Sequence, residues 1–216
     1  MIITGFGIVL VRLQHHDIEL VRQHRNSSAI SQYMEYRKEI SKEEQKKWFA
    51  SIDNKFNNYF LINYKGEQIG LIYGADIDWE KKETRNGGIF IWKEESLETP
   101  APLAASLLLT EISFLLGQER TYIKVMRDNP RAISYNLNLG YEILPGQEDV
   151  LNQQYVLTKE NYYAKGARFR KPFVRMYGEN FTLFIDHPEH EAEINIKEVY
   201  QNTAEENKAR LKLEGQ

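Results

Sequence analysis

The chain has 216 residues, of which 42% are hydrophobic, 12% aromatic and 27% charged. That is the composition of an ordinary soluble globular protein, long enough to bury a full core without covalent staples. It has no cysteine and a formal net charge of −3, which excludes disulfide frameworks, thiol nucleophiles and thiolate zinc sites, and gives no electrostatic ground for a nucleic-acid or membrane partner.

Residues 2–11 form an apolar run without a basic leader or a small-residue cleavage pattern, so they read as a tail entering a first strand over 7–14. No stretch approaches the ~18 apolar residues that span a bilayer, and a cytoplasmic protein is expected. Asp17 reads as the N-cap of a helix carrying Ile18, Leu20 and Val21, and Ile30, Tyr33 and Met34 mark a second short helical piece. Ser41 and Glu44 form a capping box opening a helix through Ile52. Residues 58–64 and 68–77 are strands joined by a Lys65-Gly66-Glu67 turn. A charged loop is expected over 78–86, then a short strand over 89–93. An apolar helix spans 103–116 and stops at Gly117, a strand covers 122–126, and a helix runs from Pro130 to a glycine stop at Gly140. Residues 141–144 and 154–157 supply the last strands.

Beyond Thr158 the character changes. Residues 165–175 carry Lys165, Arg168, Arg170, Lys171 and Arg175 with no acid, residues 181–185 can form a strand, and residues 186–214 are rich in acid and amide. The expected division is a domain over 1–158 and a C-terminal extension over 159–216. His187 and His190 read as part of an exposed acidic turn, and no metal site is expected.

Residues 122–141 read YIKVMRDNPRAISYNLNLGY: a strand, then Asn129, Ala132 three positions later, and Gly140-Tyr141 closing the helix. This resembles the Asn-x-x-Ala…Gly-Tyr half of the acyl-CoA-binding motif of the GNAT superfamily of N-acetyltransferases, and the order of elements over residues 7–158 is similar to that family's. The resemblance implies an α+β GNAT fold: a mixed sheet of about seven strands, helices on both faces, and a V-shaped splay between two parallel strands. It further implies acetyl-CoA as co-substrate, its arm pairing with the first splayed strand at Ile91, Trp92 and Lys93. The pyrophosphate would meet a helix N-terminus at Thr99, Ala101, Pro102, Leu103, Ala104 and Ala105, where free N–H groups and the positive dipole end favour anions. Asn129, Ala132 and Tyr135 complete the implied cofactor site.

The sequence departs from the family pattern at three points. Pro102 stands where the family has a close-approach glycine and offers no N–H, leaving Leu103, Ala104 and Ala105 as donors, with Arg131 or the basic 165–175 segment as supplements. Asn136 occupies the position of the family's thiolate-protonating tyrosine. Its neighbour Tyr135 is turned by ~100° around the helix and reads as a packing residue. Lys124 replaces a glutamate found in relatives that acetylate protein N-termini.

Asn136, Glu94 and Asp76 are the candidate catalytic groups, with Glu95 beside Glu94. His24, Arg25, Asn26 and Met34, in a segment resembling the branch that acetylates nucleotide-linked amino sugars, are the candidate acceptor contacts, with Tyr73 as an aromatic that can stack on a base or sugar ring. The expected partner is a small-molecule amine, with no nucleic acid or membrane and a possible homodimer through the extension. The rival expectation is a non-catalytic GNAT-fold module with an eroded cofactor cleft.

Overall fold

The computed structural model describes residues 1–215. Its first element is a hairpin where only a tail was expected. β1 (Ile2–Gly5) pairs antiparallel with β2 (Ile8–Arg12). The turn holds Phe6 and Gly7 at φ 51° and 74°, the two-residue geometry whose twist suits a hairpin. A bulky residue seldom takes that conformation. Here the Phe6 ring is buried edge-on to Phe181 at 5.0 Å and tilted against Phe173 at 5.7 Å, and those contacts hold the turn.

Helices α1 (Ile18–Asn26), α2 (Ser28–Ser31) and α3 (Lys42–Ile52) follow. The Ser41–Glu44 capping box forms on α3, whereas the Asp17 carboxylate accepts from the Gln14 N–H at 2.9 Å instead of capping α1. Strands β3 (Asn58–Tyr64) and β4 (Glu67–Asp78) turn at Lys65-Gly66, both at positive φ. β5 (Glu83–Ile91) begins inside the segment expected as a charged loop. Its charges are matched from neighbouring strands and turns: Arg120 donates to Glu83 at 2.8 Å and Lys82 to Glu119 at 3.1 Å. The strand also stops at Ile91, so Trp92 and Lys93 lie past its end.

Helix α4 (Ala101–Leu115), β6 (Arg120–Met126), α5 (Pro130–Leu139), β7 (Glu142–Ile143) and β8 (Asn152–Thr158) complete the first part of the chain. The rest enters the same sheet. After α6 (Lys159–Asn161) and α7 (Ala167–Tyr177), β9 (Phe181–Ile185) pairs with β1; after α8 (Glu191–Gln201) and α9 (Glu205–Lys208), β10 (Leu211–Gly215) pairs parallel with β9. The order is β10-β9-β1-β2-β3-β4-β5-β6-β8-β7. Seven contiguous strands, β2 to β7 in that order, match the expected sheet, and β1, β9 and β10 widen it.

The sheet is packed on both faces. One carries α1 and α3 over Leu13, Phe49, Leu61 and Leu71, with Tyr59, Tyr73, Phe90 and Trp92 at the margin. The other carries α4 over the larger core, which includes Leu10, Ile62, Ile123, Val125 and Phe181. α4 is apolar around most of its circumference because the extension covers it. Glu111, at its centre, has no solvent exposure and receives Tyr162 at 2.8 Å, Arg170 at 2.7 Å and Arg210 at 2.5 Å.

Candidate functional site

β5 and β6 run parallel and then part. Their register is Glu83 with Arg120, Thr84 with Thr121 and, after a shift, Gly87 with Ile123; no pair follows. Beyond that point β5 stays bonded to β4 as far as Ile91 opposite Gly70, and β6 to β8 as far as Met126 opposite Asn152. The facing edges of residues 88–91 and 124–126 therefore have no strand partner among the described residues, and their peptide groups line a wedge that opens from Gly88. Backbone donors and acceptors left this way need partners.

At the open end stand the N-termini of α4 and α5. α4 starts at Ala101, two residues earlier than expected, with Pro100 as its N-cap. This corrects the expected donor set: the Ala104 N–H is already bonded to the Pro100 carbonyl at 2.9 Å, and Ala105 lies a turn inside the helix. Pro100 and Pro102 have no N–H, and Ala101 donates to Thr99 Oγ1 at 3.3 Å. Among the described residues, nothing accepts from the Leu103 N–H. On α5, Asn129 caps the helix through its Oδ1, which accepts from the Ala132 N–H at 3.1 Å. Tyr135 ties the two helices together: its hydroxyl donates to the Pro102 carbonyl at 3.2 Å and pairs with the Ser106 hydroxyl at 2.9 Å. Burial pushes its phenol up to about 12, against the Ser106 hydrogen bond. Arg131 lies one turn before Tyr135 on α5, exposed and, among the described residues, without an ion-pair partner.

The α1-side face of the wedge is aromatic. Tyr73 of β4 stacks on Tyr59 with centroids 4.7 Å apart. Its hydroxyl lies so close over Gly88 that a Cβ there would be 2.7 Å away. No protein group hydrogen-bonds that hydroxyl among the described residues. Burial raises the Tyr73 phenol, the Arg25 guanidinium opposes that rise, and the Asp76 carboxylate adds to it. Asp76 is exposed in a left-handed conformation, φ 53°, with its N–H bonded to Asn57 Oδ1 at 3.1 Å. Further along, His24 stacks flat on Trp92 at 4.5 Å, and burial lowers its imidazole.

The other candidates are distributed around this centre. Asn136 turns its amide back onto its own helix, donating to the Ala132 carbonyl at 2.8 Å. Glu94 is exposed in a 3-10 turn (Glu94–Ser96) past the open end of the wedge. Ile91 is buried, the Trp92 indole donates to the Gln68 carbonyl at 2.9 Å, and Lys93 pairs with Glu67. Asn26 is occupied at both ends of its amide by the Ile40 peptide group, at 2.9 Å each way.

Sequence reasoning did not anticipate the loop that Asn26 anchors. Residues 32–40 leave the α1 side and reach the far arm of the wedge. Arg25 holds the Tyr36 carbonyl at 3.1 Å, Asn152 donates to Glu35 at 2.8 Å, and Arg37 reaches Asp128 at 3.4 Å. Met34 lies in this strap, its carbonyl accepting from Arg37 at 3.0 Å. The signal available was the polar density of 35–39, which marks a solvated segment without saying what it spans.

This architecture is the GNAT fold of N-acetyltransferases. Among solved structures, an apo structure of FdhC, a nucleotide-linked sugar GNAT, superposes with a TM-score of 0.65 at 21% identity, covering 79% of this chain and 97% of its own. Spermidine N-acetyltransferase from Vibrio cholerae, in complex with CoA and spermine, gives 0.61 at 18% identity over 73% of this chain and 98% of its own. Aminoglycoside acetyltransferase AAC(6')-Ib, in complex with coenzyme A, gives 0.61 at 14% identity over 74% and 99%. No family model and no curated protein matches the sequence. No helix among the described residues is long and apolar enough to cross a membrane.

Proposed function

We propose that the protein is an N-acetyltransferase moving the acetyl group of acetyl-CoA directly to the primary amine of a small molecule, an amino sugar linked to a nucleotide. The observation that carries this reading is the unpaired edge of β5 over residues 88–91. An extended arm bearing amide groups fits that edge as an added strand would, through main-chain hydrogen bonds. The phosphate end fits less fully, since two prolines remove donors from the first turn of α4, and in this reading Arg131 of α5 supplements the Leu103 N–H with charge.

In this reading a backbone N–H near the vertex steadies the oxyanion of the tetrahedral intermediate. Asp76 takes the proton from the attacking amine. Arg25, Tyr73 and Met34 line the acceptor side, and Asn26 contributes by fixing the strap. Lys124, exposed on β6 beside the wedge, lies where an anionic acceptor gains from a cation.

The two prolines also favour a second reading, a binding module that kept the fold and lost the reaction. A thermal-shift titration separates the two. A ligand of the folded state at a hundred times its Kd adds about 2.7 kcal/mol, so acetyl-CoA raises Tm if the first reading holds. Thiol release in the presence of amino-sugar nucleotides, compared with polyamines and aminoglycosides, then identifies the acceptor. Absence of any shift at millimolar acetyl-CoA overturns the transferase.

A further inference from the structure

We propose that the Tyr73 hydroxyl is the proton donor to the departing thiolate; this rests on the acetyl-transfer reading above. Breaking a thioester releases a sulfur anion, and a dry site needs an acid for it. The two residues nearest the family's usual place for that acid are both occupied: the Asn136 amide is bonded to Ala132 and the Tyr135 hydroxyl is held between Pro102 and Ser106.

Tyr73 is differently placed. Its hydroxyl lies directly on Gly88, the first residue past the last β5–β6 pair, and so at the vertex where an arm lying along residues 88–91 ends. The ring is fixed by stacking on Tyr59, and the hydroxyl has no protein hydrogen-bond partner among the described residues. An oriented phenol with an unused proton, facing an unpaired stretch of backbone, is a donor awaiting an acceptor. Gly88 permits the approach, because any side chain there would displace the hydroxyl. Arg25 opposes the rise that burial imposes on the phenol. Burial raises a thiol as well, which narrows the gap between acid and leaving group.

The proton balance closes through the two side chains and solvent. The amine nitrogen bonds to the carbonyl carbon while the carbon–sulfur bond breaks and sulfur leaves with its electron pair. Sulfur takes the phenolic proton of Tyr73, and Asp76 takes the proton of the amine. Exchange with solvent then deprotonates Asp76 and reprotonates the phenolate, leaving amide, thiol and both side chains as they began.

The test compares the wild type with Tyr73→Phe, and its first readout is binding. CoA is titrated with pH while the ultraviolet absorbance of its thiolate is followed on the protein. The bound thiol is expected to ionise at lower pH on the wild type than on Tyr73→Phe, since the hydroxyl hydrogen-bonds the thiolate. Acetyl-CoA is expected to shift Tm equally in both. The transfer rate should fall by 10²-fold or more in Tyr73→Phe with KM for acetyl-CoA unchanged, in the range of general-acid contributions. Equal thiolate ionisation and an undiminished rate in Tyr73→Phe overturn the proposal while leaving the transferase standing. A wild type that neither binds acetyl-CoA nor releases thiol overturns both.

Discussion

Tyr162 donates its hydroxyl proton to Glu111 at 2.8 Å, and both side chains are sealed from solvent. One belongs to the turn after α6 and the other to the middle of α4. Arg170 and Arg210 close on the same carboxylate from α7 and from the residue before β10. The extension is thus latched to the helix whose N-terminus faces the wedge.

Removing the carboxylate leaves two cations and a phenol facing a dry void. Glu111→Ala is expected to lose about 3–5 kcal/mol, the range for a buried ion pair deprived of one partner. Urea denaturation monitored by tryptophan fluorescence measures it. A loss below ~1 kcal/mol would show that the network is not anchoring the extension.

Pro102→Ala restores a backbone N–H in the first turn of α4 and keeps a good helix former. Acetyl-CoA is expected to bind about two- to five-fold more tightly, the effect of ~0.3–1 kcal/mol of helix-terminus attraction for an anion. Calorimetric titration of wild type and variant decides it. Weaker binding would place the pyrophosphate elsewhere.

Burial lowers the His24 imidazole from its ordinary 6.5. The unfolded chain then binds the proton more readily than the folded one, so stability falls as pH drops below about 6.5 and levels off once the folded imidazole is also protonated. Tm measured from pH 7.5 down to 5 should decline less in His24→Gln than in the wild type. A proton NMR titration of His24 should give a midpoint below 6.5, and a midpoint above it refutes the assignment.

Gly88→Ala sets a methyl group against a phenol that its stack on Tyr59 keeps from retreating. Overpacking of this kind costs about 1–3 kcal/mol. Tyr73→Leu should relieve part of that cost, so a double-mutant cycle on thermal stability is expected to show coupling between positions 73 and 88. Additive losses would mean that the two residues do not meet.

The local signals in the chain were legible in proportion to how local their physics is. Ser41 with Glu44, Lys65 with Gly66, and Asn129 with Ala132 each satisfy backbone groups within four residues, and each forms as its spacing indicates. Phe6 was illegible as a turn residue because what holds its positive φ is packing against Phe173 and Phe181, far along the sequence. The start of β5 was hidden for a similar reason: Glu83 is satisfied by Arg120 from the adjacent parallel strand.

At the candidate site the division is sharper. The sequence by itself determined the order of strands and helices from β2 to β8, the capped entry to α5 and the loss of a donor at Pro102, since each depends on residues a few positions apart. Only the tertiary structure decided where β5 leaves β6, that Asn26 and Tyr135 are already engaged, and that Tyr73 meets Gly88. Those are relations between backbone edges and side chains brought together from distant parts of the chain. They follow from which hydrogen bonds the whole sheet can close, and a register shift between Thr84 and Gly87 leaves no mark on local spacing.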